Sequence, residues 1–287
     1  MRRRCEIWAV VNVTPDSFSD GGQYLEHGAA IARGAALLSL GADVLDIGGA
    51  SSRPAGKTYG SGASDVSVEE ELRRVLPVIE GVVAQHGARV SIDTTRAEVA
   101  EAALHAGARI VNDVSNGSSQ GLLEAVAKAD AELVLMHNRG DGSVSGSNIV
   151  YTDVVTSVIA ELLAAAERAQ NAGVRFENIW LDPGVGFAKT AADSLAVIAG
   201  LPKLLETGHR VLLGPSRKSF ISAVEAQAGV TPPSSASERL GGTAAAVAMG
   251  VALGVHAVRV HDLPEMRQTV LVTEALMAAR AGRGLPG

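Results

Sequence analysis

The chain alternates short apolar runs with longer stretches in which apolar residues recur at helical spacing, and it does so eight times. The runs predict strands over 6–11, 43–48, 89–93, 109–113, 132–137, 178–182, 210–214 and 256–261. Most are nearly continuous in apolar residues, as strands covered on both faces are. The intervening stretches predict helices near 26–40, 67–85, 96–106, 120–129, 151–172, 191–207, 237–254 and 264–280. The second is the best marked: Ser67-Val-Glu-Glu70 has capping-box spacing, and Val68, Leu72, Leu76, Ile79 and Val83 fall on one face. Gly41, Gly87, Gly107, Gly173, Gly208 and Gly254 stand shortly before the next strand, where a left-handed residue ends a helix. No linker of changed composition interrupts the pattern. An α/β fold follows, a (β/α)8 TIM barrel formed by residues 1–287 as one domain. The competing open, doubly wound sheet lacks its dinucleotide-binding glycine fingerprint.

Polar residues close several apolar runs: Asn12, Asp93, Asn112 with Asp113, His137, Asp182 and His261. In Ile179-Trp-Leu-Asp-Pro-Gly-Val-Gly-Phe-Ala-Lys189 the strand stops at Asp182, because Pro183 has no ladder donor and the glycines permit angles closed to other residues. Six strands ending this way suggest one shared rim, and the carboxyl ends of the strands are the catalytic face of such a barrel. The stretches 12–25, 49–66 and 138–150 are long for loops and lie on that face.

Composition narrows the setting. At 287 residues with 47% hydrophobic and 20% charged positions the chain builds a sizeable globular core. A net charge of −6 supplies no field for nucleic acid. Cys5 is alone, so no intrachain disulfide forms. The apolar run after Met1-Arg-Arg-Arg4 is too short for a signal peptide, and Thr243 to Val255 is too short for a membrane span. The expectation is a cytoplasmic protein with no nucleic-acid or membrane partner.

The motifs carry a resemblance. Asn12-Val-Thr-Pro-Asp-Ser-Phe-Ser-Asp-Gly-Gly22, Ser91-Ile-Asp-Thr94, Val111-Asn-Asp113, Met136-His137, Asp182-Pro-Gly-Val-Gly-Phe-Ala-Lys189, Ser216-Arg-Lys-Ser219 and Arg259-Val-His-Asp262, in this order and spacing, resemble dihydropteroate synthase over about residues 6–280. The resemblance implies condensation of 6-hydroxymethyl-7,8-dihydropterin pyrophosphate with p-aminobenzoate to dihydropteroate and pyrophosphate, a Mg2+-assisted step of folate synthesis. It assigns the pterin to Asp93, Asn112, Met136, Asp182 and Lys218. It assigns p-aminobenzoate to Phe18, Asp20, Arg53, Pro54, Phe187, Lys218 and Ser219, pyrophosphate to Asn12, Ser52, Arg259 and His261, and the metal to Asn12. Asn12, Asp93, Asp182, Lys218, Arg259 and His261 would carry the reaction. The family commonly dimerises through its last helices, and Ala244 to Gly250 offers small side chains that would pack there or against the barrel.

The chemistry agrees with those residue types. A pterin presents an N–H and an exocyclic amine side by side, which matches the two acceptors of a carboxylate. Arg259 and His261 alternate along a strand and so point one way, as cationic donors for a pyrophosphate should. A hard ion such as Mg2+ takes oxygen ligands and keeps phosphate partners, which suits Asn12. The family's mechanism is dissociative, with a cation delocalised into the pterin before the neutral arylamine attacks, so no general base is assigned. Two other readings stay open: a corrinoid-dependent pterin methyltransferase, which would lack Ser216-Arg-Lys218, and a non-catalytic pterin-binding paralogue, which would have lost contacts such as Arg53 or Arg259. Where the family usually has Gly-Glu-Ser-Thr-Arg-Pro, this chain has Gly49-Ala-Ser-Ser-Arg-Pro54; Ala188 replaces a glycine, Ser194 a frequent Asn, and Pro215 a more flexible residue. These departures and the altered 50–66 loop suggest reduced sensitivity to sulfonamides, which extend beyond p-aminobenzoate.

Overall fold

A strand turns alternate residues to opposite faces, so in a closed barrel every second side chain points into a shared interior. The computed structural model describes residues 4–13, 23–50, 66–139 and 149–282. Its strands are β1 (Glu6–Asn12), β2 (Val44–Gly48), β3 (Val90–Asp93), β4 (Ile110–Asp113), β5 (Glu132–Met136), β6 (Ile179–Asp182), β7 (Arg210–Leu213) and β8 (Ala257–Val260). They pair in parallel in sequence order, and β1 also pairs with β8 to close the barrel. The helices around it are α1 (Gln23–Ser39), α2 (Val68–His86), α3 (Ala97–His105), α4 (Leu122–Lys128), α5 (Val154–Asn171), α6 (Ala191–Ala199), α7 (Leu201–Leu205), α8 (Phe220–Gln227), α9 (Leu240–Leu253) and α10 (Leu263–Arg280).

The interior is built in three layers. At the amino ends of the strands Arg89 bridges Glu6 at 2.9 Å and Glu132 at 2.7 Å, and Arg210 meets Glu132 at 2.8 Å. Above this lattice Trp8, Val44, Ile110, Val134, Trp180, Leu212 and Ala257 pack together, apart from the larger core between strands and helices. Trp8 and Trp180 meet edge to face with centroids 5.2 Å apart, and their indole N–H groups donate down to Glu6 and Glu132 at 3.2 and 2.6 Å. The carboxyl-end layer is polar again, with Asp46, Asp93, Asn112, Asp182 and Arg259. The outward residues of the same strands, among them Ile7, Leu45, Val111, Leu133, Leu181 and Val258, are buried against the helices.

Most expected elements are present, with informative differences. All six glycines expected to stop helices have positive φ, from 60° at Gly87 to 110° at Gly107. The Ser67 hydroxyl accepts from the Glu70 N–H at 3.2 Å, but the return half of the capping box is replaced: Glu70 pairs with Arg73 and Arg74 at 2.6 and 2.7 Å. The helix expected over 191–207 is two helices, because Pro202 has no N–H to continue α6 and instead fits the first turn of α7. A further helix, α8, stands between β7 and α9. In α9, Ala246, Val247 and Gly250 are buried, and a Cβ at Gly250 would stand 2.5 Å from Leu213, so the small residues of 244–250 admit the barrel wall. Of the three long loops, 14–22, 51–65 and 140–148 lie outside the described residues. No described helix is long and apolar enough to cross a membrane.

Candidate active site

Inward alternation brings Asp46, Asp93, Asn112, Asp182 and Arg259 to the barrel mouth. The Arg259 guanidinium donates through Nε to Asp46 at 2.5 Å and through Nη2 to Asp93 at 2.7 Å. Asp46 is fully buried and also accepts from the Asn112 amide at 3.3 Å. Burial works against the Arg259 charge, but Asp46 and Asp93 outweigh it and hold its pKa above the ordinary arginine value. Burial raises the Asp93 carboxyl to about 7; Arg259 opposes the rise, while Asp46 and Glu71 add to it. Glu71 is itself buried at the start of α2, where it accepts from Thr94 at 2.8 Å and Arg96 at 2.9 Å.

Asp182 ends β6 in a dual position. Its Oδ1 accepts the Gly184 N–H at 2.7 Å, which fixes the rotamer. Its Oδ2 lies 3.6 Å from where a Cβ on Gly214 would stand, so the absence of a side chain there leaves room beside the carboxylate. Burial raises the Asp182 pKa, against the Gly184 N–H and the charges of Lys218, Arg259 and Lys189. The turn after it admits no alternative to glycine at 184: φ is 65°, and a Cβ would stand 1.9 Å from the His137 carbonyl oxygen. The Lys218 ammonium sits 4.0 Å above the Phe187 ring, and its aliphatic stem covers Gly186.

Beneath that turn lies a second buried group. The Lys189 ammonium reaches His137 Nδ1 at 2.8 Å and the carbonyls of Gly184 and Phe187 at 3.1 Å each. His137 Nε2 lies 3.0 Å from Glu161 on α5, and Glu161 is held by Arg139. Burial, and then the Lys189 charge, press His137 down to about 4. Burial draws Lys189 down to about 7, with Asp182 and Glu161 pulling the other way. Tyr151 donates to the Ala188 carbonyl at 2.9 Å, and the Gly186 N–H donates to Ser194 at 3.2 Å.

The segment after β7 is clamped to the end of β8. Arg217 has φ of 61°; its N–H donates to Thr243 at 3.0 Å, its carbonyl accepts from Arg239 at 2.9 Å, and its guanidinium pairs with Asp262. Ser216 Oγ accepts the His261 N–H at 3.2 Å and lies 3.0 Å from His261 Nδ1.

The structure therefore gathers Asp93, Asn112, Met136, Asp182, Phe187, Lys218, Ser219, Arg259 and His261 at one end of the barrel, each at or just beyond a strand's carboxyl end. Asn12 stands exposed at the end of β1, an oxygen donor fitted to an ion that brings phosphate and water ligands of its own. Phe18, Asp20, Ser52, Arg53 and Pro54 lie outside the described residues. Asp113 and His137, expected on the same rim, serve turns: Asp113 accepts the Ser115 and Gly117 N–H groups at 2.8 and 2.7 Å. Sequence reasoning missed Asp46, although a carboxylate inside Val44-Leu-Asp-Ile47 was a signal. It gave no role to Lys189, Ser216 or Asp262, and nothing in the sequence of α5 pointed to Glu161.

The mouth offers acceptors deep inside, cations at its edge and an aromatic ring beside them, a set able to bind a planar nitrogen heterocycle that bears an anionic tail. The pterin binding enzyme profile matches residues 8–261. A dihydropteroate synthase of Staphylococcus epidermidis is 42% identical over 261 residues, covering 91% of this chain and 90% of that protein. A Xanthomonas albilineans dihydropteroate synthase solved with 4-aminobenzoic acid superposes with a TM-score of 0.85 at 41% identity, covering 96% of this chain and 94% of that one. The same organism's enzyme in complex with 7,8-dihydropteroate gives 0.82 at 38% identity, covering 96% and 95%.

Ala188 takes φ of 48°, a left-handed conformation that disfavours an L side chain. Ala188→Gly is expected to stabilise the protein by about 1 kcal/mol in urea unfolding; an unchanged or lowered midpoint would show that the entropy glycine adds to the unfolded chain outweighs the strain relieved.

Proposed function

The chain belongs to the pterin binding enzyme family, among its dihydropteroate synthases, and from that premise we propose how its own residues carry the transfer and where the chain works. The reaction joins the methylene carbon of 6-hydroxymethyl-7,8-dihydropterin pyrophosphate to the amine of p-aminobenzoate and releases pyrophosphate. The observation that carries the reading is Asp182: one oxygen is fixed by Gly184, and the other stands in the space left by Gly214. A pterin's adjacent N–H groups meet such a carboxylate, with Asp93, Asn112 and Met136 around the ring and Lys218 along its edge. Arg259 and His261 at the mouth, with Asn12 and Ser52, receive the pyrophosphate. Arg259 already spans Asp46 and Asp93, so it binds phosphate oxygens through donors those carboxylates do not use.

Carbon–oxygen cleavage places negative charge on the pyrophosphate and positive charge on the pterin methylene, and the ring delocalises the latter. The cationic edge and the buried carboxylates match that separation, so catalysis is positioning and electrostatic stabilisation. When bound, Mg2+ neutralises charge on the leaving group, with Asn12 as its protein ligand. The p-aminobenzoate ring lies by Phe187 and Lys218, its carboxylate near Ser219, with Phe18, Asp20, Arg53 and Pro54 completing the site. One barrel domain carries all of this in the cytoplasm. A homodimer through the last helices is supported by the exposure of Met249 on α9 and of Val272 and Leu276 on α10, at 52%, 53% and 64%.

Pyrophosphate release from the pterin pyrophosphate with p-aminobenzoate and Mg2+ tests the assignment, and no release removes it. In Asp182→Asn the Gly184 N–H must take the amide oxygen, which turns the NH2 toward the pterin's donors. Binding of a pterin analogue should then fall on the order of a hundredfold, about 3 kcal/mol; a loss below tenfold by calorimetry contradicts the role. Light scattering should give the mass of two chains at micromolar concentration, and the mass of one should follow in Val272→Asp with Leu276→Asp. A single-chain mass for the unaltered protein ends the dimer proposal. The loop departures lead us to expect a raised ratio of sulfonamide inhibition constant to p-aminobenzoate KM, lowered by Ala50→Glu with Ser52→Thr; equal ratios rule out those two positions as selectivity devices.

A further inference from the structure

Lys189 has no part in the reading above, yet its ammonium is buried under the turn that carries Asp182 and Phe187. Three acceptors surround it: His137 Nδ1 at 2.8 Å, and the Gly184 and Phe187 carbonyls at 3.1 Å. An ammonium has three N–H donors, and a neutral amine has two. Whether Lys189 must donate to His137 depends on the imidazole tautomer, and that depends on the other ring nitrogen. His137 is fully buried, and its Nε2 lies 3.0 Å from the Glu161 carboxylate, which Arg139 holds as an ion pair. A carboxylate only accepts, so Nε2 carries the hydrogen, Nδ1 is left as an acceptor, and Lys189 must fill it.

We infer that Glu161 on α5, acting through His137, fixes Lys189 as a triple donor and so holds the Pro183–Ala188 turn in the shape that presents Asp182 and Phe187 to substrate. Glu161, His137 and Lys189 are positioning residues; none is placed on the substrate. If Glu161 lost its charge, His137 would be free to move its hydrogen to Nδ1 and donate to a neutral Lys189. Both states satisfy the two carbonyls, but only one keeps a cation under the turn, near Asp182. The charged groups facing Lys189 are Asp182 from β6, Glu161 from α5, Arg139 after β5 and Asp193 from α6, with His137 between. Burial has already drawn the Lys189 proton into the neutral range, to about 7, so small changes in this shell move its charge at ordinary pH. Removal of the Glu161 charge takes away one of the pulls that keep the proton on, so the midpoint must move down.

The relay stands on the ligand-free protein, and only its consequence for affinity rests on the pterin reading; the test separates the two. In the 15N-labelled full chain without ligand, long-range imidazole spectra should show His137 as the Nε2–H tautomer from pH 6 to 9. The Gly184 and Gly186 amides should report one transition as Lys189 loses its proton. Glu161→Gln, at a position about one-third exposed, should bring in the Nδ1–H tautomer and lower that midpoint by about one pH unit. At about pH 5, a full unit below the lowered midpoint, the variant's amide shifts should return to those of the parent, which a merely structural defect would not do. Lys189→Met should abolish the transition and so distinguish it from titration of Asp93. An Nδ1–H His137 in the parent, equal midpoints in parent and Glu161→Gln, or a transition that survives Lys189→Met would overturn the inference. Failure of pyrophosphate release would overturn the pterin reading and leave these spectra unaffected.

Discussion

The Arg259 guanidinium donates to Asp46 on β2 and Asp93 on β3 from the far side of the closing β1–β8 seam. Removing one member of such a buried ion group leaves an uncompensated charge at a cost of about 3–5 kcal/mol. Closure of the barrel makes the arrangement unavoidable: once β8 meets β1, its inward residues face those of β2 and β3, and polar side chains at those positions must satisfy one another. The mouth is consequently assembled before any ligand arrives, with its acceptors already oriented and its cation already paired.

The turn after β6 solves a different problem. Seven successive residues, Pro183 to Lys189, are buried although none belongs to a strand or helix, and buried backbone outside regular structure needs partners for its polar groups. The Gly184 N–H finds Asp182, the Gly186 N–H finds Ser194, the Ala188 carbonyl finds Tyr151, and two further carbonyls share Lys189. Ser194 fills the place where the family often has Asn, and a hydroxyl suffices because a single N–H must be met. The same economy explains Gly184, where the chain passes the His137 carbonyl too closely for any side chain.

The barrel was legible in the sequence because strands covered on both faces leave continuous apolar runs and left-handed glycines mark the helix ends. The three-layer interior was not. Glu6, Arg89, Glu132 and Arg210 sit where a run begins, so they look like ordinary polar boundaries until closure brings four strands together. The split at Pro202 was available from Gly200-Leu-Pro202 and was hidden by the helical spacing on either side. Most rim residues were legible from motif and position, since a polar residue at a strand's carboxyl end has one place to go. Asp46 lies one pleat repeat inside the end of β2, and its role required the closure that brings Arg259 of β8 across the interior to it. Glu161 was beyond reach: on a helix face a glutamate is ordinarily solvated, and only the packing of α5 against the end of β5 gives it a histidine to act on.

The two tryptophans in the chain are both in the barrel interior, edge to face and almost wholly shielded from water. Each indole is tied to a carboxylate of the amino-end lattice, and Arg210 stacks on the Trp180 ring at 4.1 Å. Tryptophan emission, excited where tyrosine does not absorb, is therefore a gauge of the closed barrel. Emission shifts when the strands separate and is silent to rearrangements of the peripheral helices, so a difference between the fluorescence and circular-dichroism melting curves separates loss of the outer helical ring from opening of the barrel.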